Sequence, residues 1–208
     1  LTHAAEAFVS TYSNDYTDGL CVQAVKLVFN YLPRAYEKGA NDRLAREKMA
    51  NAAAIGGMCF ANGFLGVCHS MAHKIGARYH VPHVIRYNGT HPSKPGVWPK
   101  ANEYVADKKY AELANDLGMP FTDVEQGVIL FADACYDLID QVGIQQSFQA
   151  QGIDEKTWFD NLEDLVYEAY EDQCTPANPR VCMLEEMKQI LTDAYYGNYT
   201  KGGKLDKF

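Results

Sequence analysis

The chain has 208 residues, 47% of them hydrophobic and 22% charged, with a formal net charge of −8. An apolar share of that size lets a chain of this length bury a core, which excludes general disorder. Twenty-seven acidic groups against 19 basic ones, with no extended basic run, exclude a nucleic-acid backbone or an anionic membrane as the natural partner.

The first residues, Leu1-Thr-His-Ala-Ala-Glu-Ala-Phe, open in the middle of a helical pattern. They lack an initiator Met and the basic start and apolar middle of a secretory signal, so the chain reads as a piece of something longer. Leu20, Ala24, Leu27 and Tyr31 mark a helix closed by Pro33, and Asn41 or Asp42 can cap the long helix that follows. The uncharged stretch from Met49 to Cys68 is too weakly hydrophobic for a membrane span and predicts a buried helix pair. Leu65 to Tyr79 is again helical, and Pro82 stops it.

Residues 88–100, with three prolines and two glycines, form an irregular connection. Ala106, Tyr110, Leu113 and Leu117 give a stripe ended by Gly118 and Pro120. From Thr122 to Gly143 the apolar positions step by four and three, starting with Thr122 and Glu125 as a capping box and stopping at Gly143. Trp158, Leu162, Leu165 and Ala169 make the next helix, 174–180 a loop, and Leu184, Met187, Leu191 and Ala194 a last helix running to Gly197. Residues 198–208 form a short polar tail. No stretch alternates with period two, so the expected fold is all-α, seven to nine helices in one domain over 1–208. Cys21, Cys59, Cys68, Cys135, Cys174 and Cys182 are spread singly without a CxxC, which predicts reduced thiols and a cytoplasmic protein.

Four of the six histidines, His69, His73, His80 and His83, fall within residues 69–83. His69 and His73 are four apart on a helix and leave one face of it. A turn at Pro82 could fold His83 back toward that face. Neutral imidazole suits zinc or ferrous iron, and an open site takes about three protein ligands. By spacing alone the same histidines read equally as hydrogen-bonded core residues. A zincin peptidase is excluded, since Ser70 stands where its glutamate would be. His80 and His91 read as bystanders.

The run from Gly57 to His83, Gly-Met-Cys-Phe-Ala-Asn-Gly-Phe-Leu-Gly-Val-Cys-His-Ser-Met-Ala-His-Lys-Ile-Gly-Ala-Arg-Tyr-His-Val-Pro-His, resembles the signature of the iron-containing alcohol dehydrogenases. The likeness is strongest to the C-terminal half of their bifunctional aldehyde-alcohol dehydrogenases. Leu1-Thr-His-Ala, Tyr31-Leu-Pro-Arg-Ala-Tyr, Val84-Ile-Arg-Tyr-Asn and Asp172-Gln-Cys-Thr-Pro-Ala-Asn-Pro-Arg180 follow in the family's order, so the resemblance covers essentially the whole chain. It implies the helical, metal-binding C-terminal domain of a two-domain enzyme whose N-terminal domain binds NAD. It implies Fe2+, with zinc possible, on His3, His69, His83 and an Asp. It also implies a role for His73 in proton transfer and cofactor contact.

The implied reaction interconverts short-chain alcohols and aldehydes, acetaldehyde and ethanol in fermentation, and the implied parent is a homo-oligomer or filament. The chain departs from the family pattern in three places. The ligand Asp belongs four residues before His3, ahead of the first residue. The Gly and further helix that normally follow the third His are missing, so that His83 runs directly into Val84. Pro176 stands where Gly is usual. Weak or absent metal and no turnover are therefore expected of these residues alone. Two other classes compete with this reading: a non-catalytic helical assembly module and a stand-alone metal-binding bundle.

Overall fold

The computed structural model describes residues 1–75, 81–92 and 104–205. Among them the chain forms ten α helices, one 3-10 turn and no strand: α1 Thr2–Val9, α2 Asp15–Lys38, α3 Arg43–Gly63, α4 Val67–Ile75, α5 Val81–Gly89, α6 Ala106–Asp116, α7 Val124–Gln141, α8 Glu155–Asp160, α9 Leu162–Tyr170 and α10 Leu184–Tyr196. The architecture is all-α as expected. The count exceeds seven to nine partly because the Trp158 to Ala169 stripe breaks at Asn161 into α8 and α9.

Local chemistry sets most boundaries. Asn14 caps α2 by accepting from the Tyr16 and Thr17 amides, and the Thr17 hydroxyl returns the contact at the Asn14 amide. Asp42, one of the two residues expected to cap α3, accepts the Ala45 amide at 2.9 Å. For α7 the cap is one residue later than expected. Asp123 accepts from the Gln126 amide, while Thr122 turns its own amide and hydroxyl to the Gln126 side chain. Gly143 and Gly197 take φ of +69° and +73° just past α7 and α10, where an L side chain would be strained.

Pro33 does not close its helix, contrary to expectation. α2 runs through it to Lys38, because buried Cys21, Ala24, Val25 and Val28 hold the upstream turns and Arg34 pairs with Asp42 at 2.8 Å just beyond. Pro82 likewise opens a helix rather than only ending one. It is the second residue of α5, where a missing N–H costs nothing.

The core joins Phe8, Val25, Tyr87, Tyr110, Phe131, Met187 and Tyr195, all nearly inaccessible to water. Burying side chains of this size stabilises by about 1.5–3 kcal/mol each. α2 packs along α3, α6 and α5 along α7, and α4 against α9. Lys109 reaches from α6 into the start of the chain, donating to the Phe8 carbonyl, the Ser13 hydroxyl and Asp18. All six cysteines are free and buried. Among the described residues no single helix is long and apolar enough to cross a membrane. The Met49 to Cys68 stretch is not the buried helix pair expected: it is mostly the second half of α3, which leaves Ala50, Met58, Phe60 and Asn62 exposed, and only Val67 and Cys68 belong to α4, bent from α3 by 109°. At that bend Phe64 takes φ +62°, a strained conformation for a non-glycine residue beside the histidine helix.

Candidate functional site on helix α4

The first turn of α4, which carries His69, is capped from far away in the chain. The Cys68 amide donates to Glu6 Oε1 at 2.7 Å, and the Val67 amide donates to Asn178 Oδ1 at 3.3 Å. These are the N–H groups that an α helix leaves without partners at its start. Asn178 is itself locked by a reciprocal amide pair with Asn88, at 2.8 and 3.0 Å, and by donation to the Arg180 carbonyl. Gly66 makes this approach possible: a Cβ there would stand 2.7 Å from Asn178 Oδ1 and 3.0 Å from Glu6 Oε1.

His3 on α1 and His69 on α4 come together, with ring centroids 4.6 Å apart and the Phe60 ring 4.7 Å from His3. The second oxygen of Glu6 contacts His69 Nδ1, which leaves Nε2 as the ring nitrogen not engaged by Glu6. Partial burial and the neighbouring His69 push the His3 pKa down to about 4, so its imidazole is neutral at physiological pH, the form a metal requires.

His73 lies one turn on, its ring centroid 6.3 Å from that of His69. Its Nδ1 is 3.0 Å from Asp172 Oδ2, and Asp172 also receives the Cys174 amide on Oδ1 at 3.0 Å and the Lys74 ammonium on Oδ2 at 3.3 Å. Burial opposes ionisation of Asp172, but these donors outweigh it and hold the carboxyl below its usual range. An ionised carboxylate can only accept, so Nδ1 carries the proton and Nε2 is the free nitrogen of His73. With 42% of its side chain exposed, His73 is open to water while Asp172, at 7%, is not.

His83 is placed elsewhere. It leaves with α5, where Nε2 donates to the Asn198 carbonyl at 3.3 Å and the ring stands edge-on to Tyr199 at 5.3 Å. It lines a cleft of about 800 Å³ with Arg86, Glu185 and Lys204, and burial pushes its pKa down to about 4. His83 is the third residue of α5, which begins at Val81, and it is not folded back to the His69 face. Among the described residues His3, His69 and His83 do not bring three ligand atoms together; the group that does is His73, Asp172 and Cys174. His3 and His69 thus offer the right kind of donor side by side, and His83 does not join them. His91 pairs with Asp107 at 2.9 Å, and His80 lies outside the described residues.

Sequence reasoning missed Glu6, Asp172 and Asn178. Glu6 carried a signal, since it lies three residues after His3 on the same helical face, whereas the other two lie about a hundred positions from α4. Pro176, in place of the usual Gly, sits in the 3-10 turn Thr175–Ala177, where a fixed φ is accommodated.

Over residues 1–195 the chain matches the Fe-containing alcohol dehydrogenase family, C-terminal part. It is 51% identical to an aldehyde-alcohol dehydrogenase of Streptococcus pneumoniae, over 98% of this chain and 24% of that one. It is 40% identical to the bifunctional aldehyde-alcohol dehydrogenase AdhE of Escherichia coli, over 97% and 24%. The chain therefore spans about a quarter of the length of these curated relatives. Its fold superposes on a crystal structure of 1,3-propanediol oxidoreductase with a TM-score of 0.78 at 29% identity, covering 93% of this chain and 49% of that one. Helical architecture, the α4 histidines and sequence blocks in register agree: the chain belongs to the iron-containing alcohol dehydrogenase family, in the C-terminal part of its members.

Proposed function

We propose that the chain is the helical part of an NAD-dependent alcohol dehydrogenase of the bifunctional aldehyde-alcohol dehydrogenase kind. The parent reaction is hydride exchange between NAD and a short primary alcohol, acetaldehyde and ethanol in fermentation. The observation that carries this reading is the His69–His73 face of α4, with His73 held by Asp172 and open to water. His73 Nε2 takes the proton released as the alcohol is oxidised and hands it to solvent, a task suited to an imidazole open to water. The hydride chemistry itself belongs to the nicotinamide, supplied with the N-terminal domain.

His3, His69 and His83 are the donors this reading assigns to Fe2+, with zinc as the alternative. With His83 turned to Asn198, only the first two stand together. The parent is a cytoplasmic homo-oligomer or filament that joins this part to its nucleotide-binding domain.

Purified alone, the chain is expected to form no NADH from ethanol and NAD+. Joined to the nucleotide-binding domain of the pneumococcal relative, it should lose activity on His73→Ala by on the order of 10²-fold. NADH formation by the isolated chain would overturn the division of labour, and an unchanged rate in the joined His73→Ala protein would overturn the proton-transfer role.

A further inference from the structure

We propose that His73, Asp172 and Cys174 form a cation site that takes a borderline-soft divalent ion such as zinc, drawing on none of His3, His69 and His83. One donor comes from α4 and two from the turn that follows α9. A ring nitrogen of His73, a carboxylate oxygen of Asp172 and Cys174 Sγ all lie within 4.8 Å of one another, and Nδ1 is the nitrogen that faces Asp172, 3.0 Å from Oδ2. Donors around tetrahedral zinc stand roughly 3.5 Å apart, so a small closure of His73 and Cys174 onto the ion completes three ligands. Nitrogen, oxygen and sulfur together select zinc or cadmium over magnesium or calcium, which prefer oxygen alone.

The surroundings are built for such an ion. The Cys174 amide fixes Asp172 Oδ1, which aims Oδ2 at His73. Cys174 and Asp172 are 2% and 9% exposed as residues, so two donors are shielded, while half-exposed His73 leaves a fourth position for water. Burial and the adjacent Asp172 push the Cys174 thiol up to about 12, so it is protonated without an ion; its proton passes to water as the metal–sulfur bond forms, and the proton that His73 Nδ1 shares with Asp172 is displaced to Nε2, which frees Nδ1 for the ion.

Lys74 is the competitor. Its ammonium, 3.3 Å from Asp172 Oδ2, supplies the positive charge that a metal would replace, and its side chain, 27% exposed, has room to swing into solvent. Because His73 is a ligand, an occupied site withdraws it from proton transfer; that consequence rests on the function proposed above, whereas the site itself does not.

The test is titration of the 208-residue chain with Co2+, read by the thiolate-to-cobalt charge-transfer absorption, followed by displacement with Zn2+. The expected result is a band saturating at one ion per chain, bleached by zinc, lost in Cys174→Ser and in His73→Gln, and retained in His69→Ala. Lys74→Gln should tighten binding several-fold. His73→Gln changes a half-exposed side chain and decides the matter if Cys174→Ser fails to fold. Absence of the band, its survival in His73→Gln, its loss in His69→Ala or weaker binding by Lys74→Gln would each overturn the site. Neither NAD nor alcohol is present, so such a failure leaves the dehydrogenase reading untouched.

Discussion

Glu6 and His69, 63 positions apart on different helices, meet through Oε2 and Nδ1 while the other Glu6 oxygen accepts the Cys68 amide at 2.7 Å. One buried carboxylate thus both caps α4 and orients the imidazole on its first turn. Glu6→Ala leaves a buried amide without its acceptor and should cost about 1–3 kcal/mol. Glu6→Gln keeps an acceptor and should cost less. Urea unfolding midpoints check both, and an Ala variant as stable as the parent chain contradicts the capping role.

Asp172→Asn should release the tautomer of His73. In the parent chain nitrogen NMR should find the proton on Nδ1; the Asn variant should show a mixture. The pH dependence has a definite sign. The Asp172 carboxyl is held below its usual value, so its stabilising contribution is complete above the ordinary carboxylate range, near pH 4. It is lost only as pH falls further, through the depressed value. Acid unfolding of Asp172→Asn should accordingly lack that component.

Two helical glycines should respond oppositely to alanine. A Cβ on Gly127 would stand 2.6 Å from the Ala111 Cβ and 2.9 Å from its Cα, where α7 crosses α6. Gly127→Ala should therefore destabilise by about 1–3 kcal/mol through overpacking. Gly57 in α3 has nothing within 4 Å of the same construction, and Gly57→Ala should stabilise by up to about 1 kcal/mol through helix propensity. Thermal melts of the two variants should shift in opposite directions.

Pro33 costs α2 a hydrogen bond that the surrounding packing tolerates. Pro33→Ala restores the donor and should raise stability by about 1–3 kcal/mol, since proline is about 3 kcal/mol worse than alanine inside a helix. A lower melting temperature in that variant would mean that the proline itself serves the packing of α2 on α3.

The helices were legible because each buries one stripe, and a 3.6-residue period survives in the order of side chains. Val128, Phe131, Cys135 and Leu138 read directly as the buried inner face of α7, with Val124 half-buried at its start. Proline misled twice for one reason: it forbids a hydrogen bond locally, yet α2 carries on through Pro33, and Pro82 falls in the first turn of α5, where its missing N–H is no loss. The pairing of His69 with His73 was legible from spacing, and His3 from the family motif. The carboxylates behind them were not, because Asp172 reaches His73 across 99 positions and no local pattern encodes that distance. His83 shows the converse: its place in the motif suggested a partner of His69, but the start of α5 carries it to Asn198.

The capping of α4 also sets an order of events. Nine residues are too few for a helix to persist alone in water, where roughly 12–15 are marginal. Its first two amides are satisfied by side chains 62 and 111 positions away, so both loops must close before the helix is worth forming. The histidine face is therefore a late product of folding. A nascent or partly unfolded chain displays no such face, and the Val67 and Cys68 amides should exchange with solvent only when the whole domain opens.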